Sequence, residues 1–148
     1  MKNLGSSIGS QLRSGDFVVL AGELGSGKTT FTQGLAEGLN VGGSITSPTF
    51  VISRIHKPIA QGPKLIHVDA YRLANADQLV DLELDEPNSV VVIEWGREFI
   101  KNLTDTWLEI NIERGSEIDP IDPAAGNRVV TVTAYGDRWR ELDLAGWQ

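Results

Sequence analysis

The sequence predicts an α/β fold with a mixed, mainly parallel central sheet plus antiparallel strands, and three observations carry that expectation. The apolar run "FVVLA" (17–21) leads through a glycine-rich loop, "GELGSGKTT" (22–30), into a stretch with helical periodicity. "VVVIEWG" (90–96) is a continuous β-branched run, the mark of a strand covered on both faces. "WLEINIER" (107–114) and "NRVVTVTAYG" (127–136) alternate apolar and polar residues, as antiparallel strands with one wet face do.

The elements follow in order. Leu4, Ile8 and Leu12 recur at helical spacing and predict an opening amphipathic helix. "SGD" (14–16) reads as a turn, and "FVVLAGE" (17–23) as a buried strand. In "KTTFTQGLAEGLNVGG" (28–43) Phe31, Leu35 and Leu39 share one helical face, and Gly42 and Gly43 are expected to end the helix. "TFVISRIH" (49–56) and "KLIHVDAY" (64–71), joined by "KPIAQGP", have the grammar of a hairpin. "ADQLVDLEL" (76–84) reads as a short helix stopped near Pro87. The acid- and proline-rich "GSEIDPIDPAAG" (115–126) reads as a loop between the last two strands. With 148 residues, no internal repeat and no linker, residues 1–148 are expected to form a single domain.

Composition narrows the function. Twenty acidic residues against 13 basic ones give a net charge of −7, the wrong sign for a protein that grips nucleic acid alone by neutralising phosphates. No apolar stretch approaches the roughly 20 residues that span a bilayer. The absence of cysteine excludes disulfides and thiolate metal sites and suits a reducing, cytoplasmic setting.

Gly22 to Thr29 fits G-x-x-x-x-G-K-[ST], the phosphate-binding P-loop. Glycines permit a backbone path that turns N–H groups toward a β-phosphate. The following helix adds its unsatisfied N–H groups and the positive end of its dipole. Lys28 would reach the β- and γ-oxygens, and the Thr29 hydroxyl would join a magnesium shell. A random chain of this length would match the pattern about once in 100 times, and here it also falls between a strand and a helix.

Such a site needs an acid near the metal, at the end of a neighbouring strand. Glu94 ends "VVVI" and is the stronger candidate; Asp69 ends "KLIHV" and competes with a reading as a turn or helix cap. Trp95 is core packing by default, with a place beside the nucleotide as the alternative. His56 and His67 lack companions at ligand spacing and read as structural. Arg54, Arg72, Arg97 and Arg128 could each meet a phosphate, and spacing does not choose among them. The N/T-K-x-D signature of guanine-specific GTPases is absent, and "DLAG" (143–146) lies too near the last residue to act as their D-x-x-G. A small-molecule kinase or phosphotransferase is the alternative class; the loops at 42–48 and 114–127 are poor in the arginines its lid would need.

Together "GELGSGKTT", "SPTF" (47–50), "HVDAYRL" (67–73) and "IEWG" (93–96) resemble, in order and spacing, the TsaE (YjeE) family, from about residue 4 to the terminal strands. The resemblance implies a single-domain P-loop NTPase that binds ATP through Gly22, Gly25, Ser26, Gly27, Lys28, Thr29 and Thr30. It implies Mg²⁺ held by Thr29 and Glu94, with Asp69 as a second acid near the metal or the attacking water. It makes Thr46, Ser47, Pro48 and Thr49 a switch-type segment facing the γ-phosphate. Trp95 becomes the tryptophan beside the metal acid, and Arg128 is carried over weakly. The implied activity is an ATPase that is feeble alone and depends on the partners TsaD and TsaB. The implied role is support of N6-threonylcarbamoylation of A37 in tRNAs that read ANN codons, with tRNA contact delegated to those partners. One departure stands out: family members commonly carry a short strand and a threonine ahead of the first helix, and this chain starts at that helix.

Overall fold

The computed structural model describes residues 1–23, 25–43, 45, 53–71, 73, 75, 77–78, 84, 86–115 and 127–142. Its elements are α1 (Lys2–Gly9), β1 (Phe17–Ala21), α2 (Lys28–Leu39), β2 (Ser53–His56), β3 (Lys64–Asp69), β4 (Ser89–Glu94), β5 (Trp107–Arg114) and β6 (Arg128–Tyr135). Short 3₁₀ turns occupy Glu86–Asn88, Ile100–Asn102 and Asp137–Glu141.

The strands form one six-stranded sheet in the order β2-β3-β4-β1-β5-β6. β3, β4, β1 and β5 run parallel, while β2 and β6 close the two edges antiparallel. The mixed, mainly parallel sheet is therefore as the sequence predicts. β4 is buried along its whole length, which is why it reads as an unbroken apolar run. β6 alternates half-buried and exposed residues over its first six positions. β5 differs from expectation. Its other neighbour is β1, to which it is parallel, so even its polar Glu109 and Asn111 are half-buried. Alternation along one strand carries no information about that non-local parallel partner.

Strand alternation divides the core in two. Val18, Leu20, Val90, Val92, Leu108 and Ile110 face the helices and meet Ile8, Phe31 and Leu35. Phe17, Val19, Ile66, Val68, Val91 and Ile93 face the other way, covered by Ile100, Trp107, Phe99 and Leu103. Both helices thus lie on one face of the sheet, and α2 delivers its N-terminus to the edge where the parallel strands end.

The helix ends depart from the sequence reading. α1 stops at Gly9, because the chain tightens into i→i−3 bonds from Gln11 N–H to Ile8 and from Leu12 N–H to Gly9; Leu12 reaches the core from that turn. α2 is ended by Asn40, in the left-handed region at φ 58° and ψ 45°, whose N–H returns to the Ala36 and Glu37 carbonyls. Gly42 and Gly43 lie beyond that stop. β3 ends at Asp69, two residues earlier than expected, where Ala70 N–H bonds the Glu94 carbonyl. Most of the short helix expected at 76–84 and the first half of the strand at 49–56 lie outside the described residues.

α1 and α2 meet at glycines. A Cβ on Gly34 would stand 2.1 Å from the Lys2 carbonyl oxygen, and one on Gly38 would stand 2.3 Å from that of Ser6. Reciprocally, Cβ atoms on Gly5 and Gly9 would sit 2.4 Å from the carbonyl oxygens of Phe31 and Leu35. The helices approach so closely because these side chains are missing, at four-residue spacing on both partners. No described helix is long and apolar enough to cross a membrane.

Candidate functional site

Parallel strands place their C-terminal ends together, and this sheet uses that edge for its polar groups. β1 runs into the loop at Gly22, β3 ends on Asp69 and β4 ends on Glu94. Asp69 and Glu94 are direct neighbours in the β3–β4 register, and Leu20 pairs with Glu94 in the β1–β4 register. Both carboxylates are buried.

The loop between β1 and α2 takes its path from three glycines. Gly22, Gly25 and Gly27 have φ of 147°, 77° and 114°, values that L side chains rarely adopt. Ser26 N–H closes a turn onto the Glu23 carbonyl, and α2 begins at Lys28 with no side chain among the described residues capping its first N–H groups. Uncapped amides at a helix start form a ready-made anion site. The buried Ser26 Oγ also lacks a hydrogen-bond partner among the described residues.

Lys28 is only 6% exposed. Its ammonium donates to the carbonyls of Gly22 at 2.6 Å and Glu23 at 3.0 Å, and lies 4.8 Å from the centre of the Trp95 ring. Burial pushes the Lys28 ammonium below its ordinary lysine value, while the Glu94 and then the Asp69 carboxylates pull it back up. Thr29, next in the helix, is half-buried, and Thr30 is exposed.

Glu94 Oε2 lies 2.8 Å from His67 Nε2, and Asp69 Oδ1 accepts the Tyr71 N–H at 2.9 Å. Among the described residues no cluster of three His, Cys, Asp or Glu groups is arranged to hold a metal by itself. Two adjacent carboxylates fit a small hard cation that keeps waters and phosphate oxygens as its remaining ligands, the habit of Mg²⁺.

Trp95 turns out of β4 in the left-handed region at φ 61°, 39% exposed, and its ring sits 5.3 Å from that of Tyr71, itself 70% exposed. A bulky residue at positive φ is strained, and such strain gathers at functional sites. Gly96 permits the turn that follows, since a Cβ there would lie 2.3 Å from Ile93 Cγ2. A cavity of about 420 Å³ opens on one side of Trp95, between Gly22, Tyr71, Leu73 and Phe99. Another of about 440 Å³ lies between Trp95, Glu23, Glu113 and Arg114.

Lys28, Glu94, Asp69, Trp95 and the loop glycines therefore come together. Arg128 Nε donates to the Ser26 carbonyl at 2.9 Å, bringing the start of β6 against the loop. Arg97 is paired with Glu109, and Arg54 lies on edge strand β2. Arg72, Thr46, Ser47, Pro48 and Thr49 lie outside the described residues. Three more side chains lie against these groups. Arg114 Nη2 donates to the Gly25 carbonyl at 3.4 Å, Tyr71 flanks Trp95, and His67, read as structural, reaches Glu94. The i, i+2 spacing of His67 and Asp69 placed both on one strand face and was the available signal for the last.

A parallel sheet, a glycine-rich loop leading into a helix, and acids at the adjoining strand ends define a P-loop NTPase fold. The family model described as threonylcarbamoyl adenosine biosynthesis protein TsaE matches residues 1–119. The chain belongs to the TsaE family. The relative from Streptomyces coelicolor, named tRNA threonylcarbamoyladenosine biosynthesis protein TsaE, is 48% identical, covering 98% of this chain and 97% of its own. The Bacillus subtilis protein of the same name is 36% identical over 88% of this chain and 77% of its own. A crystal structure of Bacillus subtilis YdiB superposes with a TM-score of 0.71 at 29% identity, covering 95% of this chain and 82% of that one.

Proposed function

We propose that this chain is a cytoplasmic, Mg²⁺-dependent ATPase that works with TsaD and TsaB to support N6-threonylcarbamoylation of A37 in tRNAs reading ANN codons. The observation that carries the ATPase reading is the convergence of the Lys28 ammonium, the uncapped start of α2 and the Asp69–Glu94 pair at one edge of the sheet. The family carries the pathway.

In this reading the N–H groups of Gly25 to Thr30 bind the β-phosphate. Lys28 exchanges the Gly22 and Glu23 carbonyls for β- and γ-oxygens, moving its charge onto the phosphoryl group being transferred. Thr29 Oγ1 and Glu94 would hold the divalent ion, which would supply positive charge to offset that of the phosphates. Asp69 orients the attacking water, and Trp95 shields Lys28 from solvent. Arg128 faces the nucleotide as the TsaE resemblance implies, and Thr49, outside the described residues, keeps the role that resemblance gives it. Hydrolysis resets the assembly rather than altering a small substrate, and a net charge of −7 agrees with tRNA being gripped by the partners.

Reconstitution tests this. With TsaD, TsaB and substrates present, A37 modification is expected to proceed through many turnovers only when this chain is added, with ATP hydrolysis rising on partner addition. Hydrolysis indifferent to the partners contradicts the proposal. The cavity beside Trp95 is the feature that favours a phosphotransferase instead; a robust phosphorylated product from a screen of nucleosides, sugars and polyols would revive that reading.

A further inference from the structure

The face of β3 turned toward the helices carries Leu65, His67 and Asp69. Leu65 continues the apolar cluster there, and an aliphatic residue at position 67 would do the same. Instead an imidazole is fully buried at that point. A polar ring in such a place costs free energy unless hydrogen-bonded, and the Nε2 bond to Glu94 Oε2, 2.8 Å across the β3–β4 pair, answers that cost. A carboxylate only accepts, so Nε2 carries the proton and donates. Nδ1 is buried without a partner among the described residues. The ring's hydrogen bonding within the described structure is thus directed at one oxygen of one side chain.

Glu94 needs such a partner more than Asp69 does. The shorter Asp69 is fixed within its own turn by the Tyr71 N–H. Glu94 has one more rotatable bond and, among the described residues, only His67 to hold it. Buried ion pairs are poor devices for raising stability, whereas removing a hydrogen-bond partner that orients a ligating group changes metal affinity about 10–100-fold.

We propose that His67 is a positioning residue for the divalent ion: its Nε2–H holds Glu94 Oε2, so that Oε1 is presented to the cation that accompanies the nucleotide. This rests on the function proposed above. It makes the β3 histidine part of the metal site without touching the metal.

The test is Mn²⁺ binding to the full chain in the presence of ADP, followed by electron paramagnetic resonance, with ADP affinity in EDTA and thermal unfolding measured alongside. His67→Leu is expected to weaken Mn²⁺ about tenfold while leaving metal-free ADP binding within twofold. His67→Gln, whose amide nitrogen reaches the Nε2 position, is expected to restore most of the affinity; the shorter His67→Asn is not. The Gln–Asn contrast carries the test if the Leu variant does not fold. Unchanged Mn²⁺ affinity in His67→Leu, or equal affinities for the Gln and Asn variants, overturns the role of His67. Wild-type chain that binds ADP with no dependence on metal overturns instead the reading on which it rests.

Discussion

At the N-terminus of α2, Gly25 and Gly27 take φ of 77° and 114°; along the flank of the same helix, Gly34 and Gly38 keep ordinary helical geometry while α1 carbonyls come within the space a Cβ would fill. The residue type is the same and the physical reason is opposite. The loop uses glycine for a conformation that other residues resist, and in the proposed function that conformation serves the phosphate site. The seam uses it for proximity, which serves the fold. Substitution should therefore separate binding from stability.

The largest expected effect lies in the loop. Lys28→Ala is expected to lower nucleotide affinity by ~3 kcal/mol, roughly 100-fold, with the melting temperature shifted only slightly because the ammonium it removes is desolvated. Titration calorimetry and thermal unfolding on one preparation check both halves. Next is Gly34→Ala at the seam. Its methyl group would meet backbone at 2.1 Å, so a loss of about 3 kcal/mol in urea unfolding is expected, with unchanged nucleotide affinity in the folded fraction. A stability change below ~0.5 kcal/mol would show that the seam tolerates a Cβ and would break the comparison.

Gly25→Ala against Gly15→Ala sharpens it. Both positions have positive φ; among the described residues a Cβ at Gly25 would meet only the end of the Arg114 side chain, and one at Gly15 would meet nothing within 4 Å. Each is expected to lose about 1 kcal/mol of stability. Gly25→Ala should also lose nucleotide affinity at least tenfold, whereas Gly15→Ala should keep it. Equal affinities in the two variants would mean that the path of the loop does not serve the ligand.

The smallest effect lies outside both regions. Burial, aided by His67 and Arg54, holds the His56 imidazole below its ordinary value. The unfolded chain then takes up that proton first as pH falls through about 6.5. His56 contributes stability above that pH and loses it below, so His56→Asn should flatten the decline in melting temperature between about pH 6.5 and 5. An unaltered slope would remove His56 as its source.

The sequence made the loop and β4 legible because their chemistry is local: a motif of eight residues, and a strand buried on both faces. It also placed Asp69 and Glu94 at strand ends. Their adjacency depends on β3 and β4 pairing in parallel across the intervening residues 70–88, which no local pattern encodes. The same holds for β5 beside β1 and for Arg114 against Gly25. The seam was different. Gly5 with Gly9, and Gly34 with Gly38, carried a readable four-residue spacing, but the hydrophobic periodicity of both helices drew attention to their apolar faces instead. Asn40 likewise ended α2 ahead of the more conspicuous Gly42 and Gly43.

The claim beneath all of this is that one lysine, one helix start and one glutamate form a single Mg²⁺–nucleotide site. Calorimetric titration of a non-hydrolysable ATP analogue, with and without Mg²⁺, into wild-type chain and Glu94→Gln tests it most directly. Binding by the wild type that tightens with Mg²⁺, and a variant that binds the analogue but loses at least tenfold of that gain, is the expected result. Absence of binding to folded wild-type chain even with TsaD and TsaB present, or a Mg²⁺ gain left intact in Glu94→Gln, would contradict it.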